Sequence, residues 1–213
     1  MQMNELSAGP LLKSAWQKFK SNWLNLTGVL LLIVAIQTVL GLIAEIGNEG
    51  FAFFMSIIIF AAGIIMGMGF LNITIKIGRG DDFEIADLFG TIAPFFKYLG
   101  GTLLYGLIFY IGLILLVIPG IIWGIKFCLT PYFIIDRDMG PIEALKASSR
   151  TTQGYKWNLF GIFIIFFGVA ILGFILFVIG IIPASLTIGI GNALIYLYLS
   201  DNRKEPAKSE SEV

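Results

Sequence analysis

Histidine is absent from the 213 residues, and cysteine occurs once, as Cys128. The first absence removes the imidazole general base and every His metal site. The second excludes an intramolecular disulfide, so redox chemistry gives no reading of compartment. Charge is also scarce, at 13% of residues, with 14 basic and 14 acidic side chains that cancel. Nucleic-acid binding needs a basic face and gains no support from that balance. No Gly-x-Ser-x-Gly elbow, phosphate-cradling Gly-Lys-Ser/Thr loop or pair of membrane-depth carboxylates occurs. The chain therefore offers no catalytic residue, no metal set and no cofactor motif, and it reads as a non-enzymatic protein.

What is abundant is apolar sequence: 57% of residues, with a mean hydropathy of +0.90. Soluble domains run nearer ~45–50% apolar and ~25% charged. Apolar runs cover residues 24–44, 51–75, 98–118, 120–135, 157–180 and 181–200. A spanning helix needs about 20 such residues, because lipid offers no partner to a free N–H or C=O. The expected fold is all-α: six transmembrane helices in three hairpins, with short interfacial helices on the cytoplasmic side. Pro119–Gly120 and the Gly180 to Pro183 region are the expected turns within the long apolar stretches. The first run starts too late and is too long for a cleaved signal peptide.

Of the fourteen Lys and Arg residues, Lys126 alone lies within a run. The others precede the first run, lie between the second and third or the fourth and fifth, or follow the sixth. The opposite connections carry no positive charge. Basic residues of short loops stay cytoplasmic, so both termini read as cytoplasmic in a multi-pass protein of the inner (plasma) membrane.

The chain also reads as a threefold repeat, about residues 1–80, 81–138 and 139–200, within one membrane domain of residues 1–200. Each unit opens with a short polar segment: Gly9-Pro10-Leu11, Asp81-Asp82-Phe83-Glu84 and Gly140-Pro141-Ile142. Proline is pre-set for a helix start, and an Asp with a Glu three residues on can cap one. Entry into each pair of spans repeats a basic residue beside an aromatic, at Lys20 with Trp23, Lys97 with Tyr98 and Lys156 with Trp157. Such pairs mark the headgroup level. Residues 201–213 are polar and read as a disordered cytoplasmic tail.

Lys126 is the leading candidate for a functional contact, since ionisable groups within a span are functional candidates by default. It lies only about 9 Å from the outer end of its run at ~1.5 Å per residue, so snorkelling is the competing reading. Its available partners are carbonyls, hydroxyls such as those of Tyr105 or Tyr110, water, or a lipid phosphate. Pro131 lacks an N–H and clashes with the carbonyl of Phe127, which predicts a kink beside Lys126. Gly63-x-x-x-Gly67 and Gly120-x-x-x-Gly124 predict close helix approach, and Gly106, Gly112, Gly161 and Gly168 add small positions. Asp81, Asp82, Glu84, Asp87 and the triplet Asp136-Arg137-Asp138 read as caps and solvated charges.

The stretch Ile118-Pro119-Gly120-Ile121-Ile122 through Lys126, then Pro131 to Asp136, Ala144, Ser148-Ser149 and Gly154, resembles the membrane domain of glycerophosphoryl diester phosphodiesterases and related uncharacterised prokaryotic six-span proteins. The resemblance implies a small helical membrane protein with a lipid-related role; no phosphodiesterase domain accompanies it. Two functions follow. The first is binding of membrane lipids or a membrane-protein partner through a basic cytoplasmic rim of Lys20, Lys97, Arg137, Lys146, Arg150 and Lys156. The second is a small-solute or lipid transporter or channel using Lys126, with Gln37, Asn72, Thr130 and Asn192 facing the bundle.

Overall fold

The computed structural model describes residues 7–90 and 92–202. Among them every regular element is a helix. Six helical segments are long and apolar enough to cross a membrane, as a multi-pass membrane protein requires. The basic tail residues Arg203, Lys204 and Lys208 lie outside the described residues.

Helix α1 (Ala8–Glu45) and helix α2 (Glu49–Arg79) account for the first two spans. The polar opening segment expected as a separate interfacial helix is instead continuous with the first span. No glycine or proline interrupts residues 11–27, so nothing breaks the hydrogen-bond ladder between them. The 38 residues of α1 extend about 57 Å, well beyond a ~30 Å hydrocarbon core. Asn48 caps α2 by accepting from the Phe51 N–H at 3.0 Å. Gly80, at φ +90°, closes α2 in the left-handed conformation that a side chain disfavours.

The second opening segment also departs from expectation. It forms only a 3₁₀ turn, Ile85–Leu88, and its cap is the Glu84–Asp87 pair rather than Asp81–Glu84. Lys76 explains the shift. Its ammonium donates to Asp87 at 2.7 Å, and Asp87 also accepts from the Glu84 N–H at 2.9 Å. Those two donors hold the Asp87 carboxyl below the ordinary 3.8. A carboxylate whose folded value is lowered stabilises fully above its unfolded value and loses that contribution as pH falls through the folded one. Hydrogen-exchange protection of residues 85–88 is therefore expected to hold from pH 7 to about 5 and to drop below about 4. Equal protection at pH 3 would show that the pair contributes nothing.

The remaining helices are α3 (Phe95–Leu115), α4 (Val117–Phe127), α5 (Thr130–Arg137), α6 (Pro141–Thr151), α7 (Lys156–Ile175) and α8 (Phe177–Asn202). Both expected turns move upstream. The chain reverses at Leu116, which is extended at φ −166° and ψ 142°, and the α7–α8 junction falls at Leu176. Pro119 sits in the first turn of α4, where its missing N–H is not needed, so it starts a helix rather than ending one. Pro183 lies inside α8.

Small residues seat the neighbours α3 and α4. A Cβ on Gly120 would fall 2.7 Å from the Leu113 backbone nitrogen, and one on Gly112 would fall 2.8 Å from the Gly120 Cα. The Gly63 to Gly67 pair is only half used: Gly63 meets the Gln37 amide, while Gly67 faces open space, as do Gly106, Gly161 and Gly168.

Burial is uneven along the helices. Leu11, Phe19 and Leu26 of α1, Ile73 and Ile77 of α2, Phe133 and Ile134 of α5, Leu159 and Ile162 of α7, and Ile195 and Tyr196 of α8 belong to one core. These are the helix halves that adjoin the charged connections. The other halves expose Leu31, Val39, Phe53, Phe60, Leu107, Ile114, Phe167 and Phe174. A surface that apolar suits hydrocarbon.

Candidate functional site

The site develops where the fourth span breaks. With Pro131 unable to donate, the Phe127 carbonyl loses its helical partner, and α4 ends there; α5 restarts at Thr130. The polar groups at such a break must be satisfied inside the protein, since lipid offers nothing. Thr130 supplies one donor: its hydroxyl bonds the Phe127 carbonyl at 2.7 Å.

Helix α6 supplies the others. Ser148 Oγ donates to the Lys126 carbonyl at 3.0 Å and Thr152 Oγ1 reaches the same oxygen at 3.1 Å. Ser148 Oγ in turn accepts from the Leu129 N–H at 3.2 Å. Spaced i,i+4, both residues share one face of α6, and both are wholly buried. The third surface segment is thus no free interfacial helix. It begins at Pro141 as expected, but it packs against α3, α4 and α5.

This seam fixes the Lys126 backbone and turns its side chain outward. The ammonium lies 5.1 Å from the centroid of the Phe127 ring, in a cation–π contact. Lys126, Lys146 and Arg150 then line one pocket of about 330 Å³ with Phe127, Ile108, Ile142, Leu145 and Ser149. The sequence placed Lys146 and Arg150 on the rim and Lys126 apart from them; the structure brings all three together.

The tyrosines do not join them. The Tyr105 hydroxyl donates to the Gly124 carbonyl at 3.4 Å and lines a separate, mostly apolar cavity of about 520 Å³. Tyr110 is exposed. Of the polar residues read as facing the bundle, Asn192 alone lines that cavity. Gln37 packs beside Gly63 between α1 and α2, and Thr130 is spent on the Phe127 carbonyl.

The rim cations separate into two groups. Lys76 pairs with Asp87, Arg79 with Asp136, and Lys97 with Asp138. Lys97 also donates to the Asp138 carbonyl at 3.0 Å. Asp136 accepts in addition from the Tyr196 hydroxyl at 2.7 Å, and Arg137 lies over the Phe133 ring at 5.3 Å. The acids read as caps and solvated charges therefore include three ion-pair partners. Lys20, Lys146 and Lys156 are exposed and form no ion pair among the described residues.

A further cavity of about 530 Å³ is lined by Leu12, Lys13 and Trp16 of α1 and by Leu172, Gly173 and Gly180 around the α7–α8 junction. The charge pattern expects those two regions on opposite faces. Here they share one cavity, beside which Gly173 and Gly180 let α7 and α8 approach closely: a Cβ on Gly180 would fall 2.6 Å from the Gly173 carbonyl oxygen.

The model of a family described as "Protein of unknown function (DUF975)" matches residues 101–202, just under half of the chain. The matched segment runs from α3 into α8 and contains the broken span, the hydroxyl seam and the three-cation pocket. No curated protein and no solved structure matches the chain.

Proposed function

We propose that the chain is a non-enzymatic integral membrane protein that binds anionic membrane lipids through its basic cytoplasmic rim. One observation carries this reading: three rim cations are neutralised by Asp87, Asp136 and Asp138, while Lys20, Lys146 and Lys156 are exposed and have no acidic partner among the described residues. Each such charge near an anionic surface contributes ~1 kcal/mol. The likeness of residues 118–154 to the membrane domain of glycerophosphoryl diester phosphodiesterases leans the same way. On this reading the three units, about 1–80, 81–138 and 139–200, each bring one basic segment to the rim. A transport route has less behind it, because Gln37, Thr130 and Asn192 lie at separate places.

Native mass spectrometry of gently extracted protein tests the rim. Lys20→Gln/Lys156→Gln is expected to retain anionic phospholipid about tenfold to thirtyfold less well than wild type, with zwitterionic lipid unaffected. Equal retention of anionic lipid would refute the proposal.

The charge pattern behind this proposal puts the protein in the plasma membrane with its amino terminus cytoplasmic and the α7–α8 junction outside, whereas the cavity that Leu12 and Lys13 share with Leu172 and Leu176 sets the two regions side by side; labelling decides between them. In a Cys128→Ser background, Ser7→Cys should react with an impermeant thiol reagent only in opened cells, and Leu176→Cys in intact ones. Labelling of both from the same side would replace the six-crossing topology.

A further inference from the structure

We propose that the cavity of about 520 Å³ lined by Tyr132 and Asn192 seats a neutral, lipid-soluble ring compound with two carbonyl oxygens, of the quinone class. The inference goes beyond the lipid-binding rim and uses none of its lysines. It starts from two polar groups on the cavity wall that the fold leaves over. Tyr132 is only 7% exposed, yet its hydroxyl forms no hydrogen bond among the described residues. The half-buried Asn192 side-chain amide likewise has no partner among them. Neighbouring hydroxyls differ: Tyr196 donates to Asp136 at 2.7 Å, and Tyr105 donates to the Gly124 carbonyl at 3.4 Å. Buried polar groups are nearly always matched, so a leftover pair on one wall calls for an explanation.

A phenol O–H and an amide N–H both donate, so the missing partner carries acceptor oxygens for two donors. Among the described residues no charged side chain lines the cavity. An ion there would lose its hydration and meet no opposite charge, so the ligand is neutral. The rest of the wall is largely aromatic, with Phe109, Phe160, Phe163 and Phe167 beside the two tyrosines. Such walls take a flat ring in offset or edge-on contact. The Tyr132 ring is itself fixed by stacking on Tyr196 at 5.5 Å, which sets where its hydroxyl stands. Ile164 and Phe167 line the cavity and are also exposed on the outer apolar surface, so the way in leads from the bilayer. A ligand arriving by that route is soluble in hydrocarbon. The volume is that of a single small-molecule site, apolar with few polar groups.

The test is binding of decylubiquinone to the purified protein in uncharged detergent, read as saturable quenching of tryptophan fluorescence. Wild type is expected to bind it, Tyr132→Phe and Asn192→Leu each about tenfold more weakly, and an equal concentration of methyl palmitate is expected not to displace it. Equal binding by wild type and both variants would overturn the inference, and so would displacement by methyl palmitate, which would make the cavity a seat for any acyl chain. Tyr132→Phe removes a hydroxyl without a partner, so without ligand its thermal midpoint should match wild type or exceed it. A lowered midpoint would mean that the hydroxyl already has a partner in the protein, and the inference falls. Should Asn192→Leu fail to fold, Tyr132→Phe makes the comparison alone. Lys20→Gln/Lys156→Gln should keep full decylubiquinone binding. Loss there would trace the signal to the surrounding amphiphile rather than the cavity and would also overturn the inference, while the anionic lipid that this variant retains judges the rim separately.

Discussion

Gly69→Val is expected to detach the 3₁₀ turn from α2 and to lower the thermal midpoint of the purified protein more than any other single substitution considered. A Cβ at position 69 would fall 1.9 Å from the Leu88 carbonyl oxygen and 2.6 Å from the Leu88 Cα. Those are backbone atoms, so no rotamer change relieves the overlap. Leu88 is fully buried and belongs to the central core, which makes retreat of the turn costly in turn. Overpacking typically costs ~1–3 kcal/mol and more where the neighbour cannot move. Gly106, which faces open space on α3, supplies the control, and Gly106→Ala should leave the midpoint unchanged or slightly raised. A wild-type midpoint for Gly69→Val would mean that the turn does not rest on α2.

The second large effect is expected for Ser148→Ala/Thr152→Val. Together these changes remove both side-chain donors to the Lys126 carbonyl and the acceptor of the Leu129 N–H. Each buried backbone group left unsatisfied costs ~1–3 kcal/mol. The Thr152 hydroxyl also bonds the Ser148 carbonyl within α6, so the single changes share partners and their costs should not add. Limited proteolysis of α6 and the thermal midpoint report the loss together. Ser148→Thr, which keeps a hydroxyl, is expected to recover part of it. Full stability of the double variant would mean that water or another group serves the break.

The six crossings are legible in the sequence because lipid imposes a coarse rule: about twenty apolar residues, met six times. The break at Pro131 is legible for a similarly local reason, the missing N–H. What satisfies it is not, because Ser148 and Thr152 lie 22 and 26 residues from the carbonyl they serve. A signal was present all the same. Two hydroxyls at i,i+4 share a face with Ala144 and Leu145, both buried, and one helix away stood a proline-interrupted span with a carbonyl to satisfy. The sorting of the rim cations was equally hidden. Arg79 finds Asp136 across 57 residues, and no local pattern distinguishes that acid from a solvated one. Proline misled at the turns for a positional reason: the residue that breaks a helix interior also opens a helix, and Pro119 does the latter.

The hydroxyl seam also bears on how the chain is made. When residues 117–137 leave the ribosome, the donors for the break in the fourth span do not yet exist. At a synthesis rate of ~5–20 residues per second, the 22 to 26 residues that separate Lys126 from Ser148 and Thr152 take on the order of one to five seconds. For that interval the half-finished span carries unmet carbonyls, which hydrocarbon does not tolerate. Stable seating of the fourth span is therefore expected to wait for α6, whose hydroxyls cover the break from outside the span.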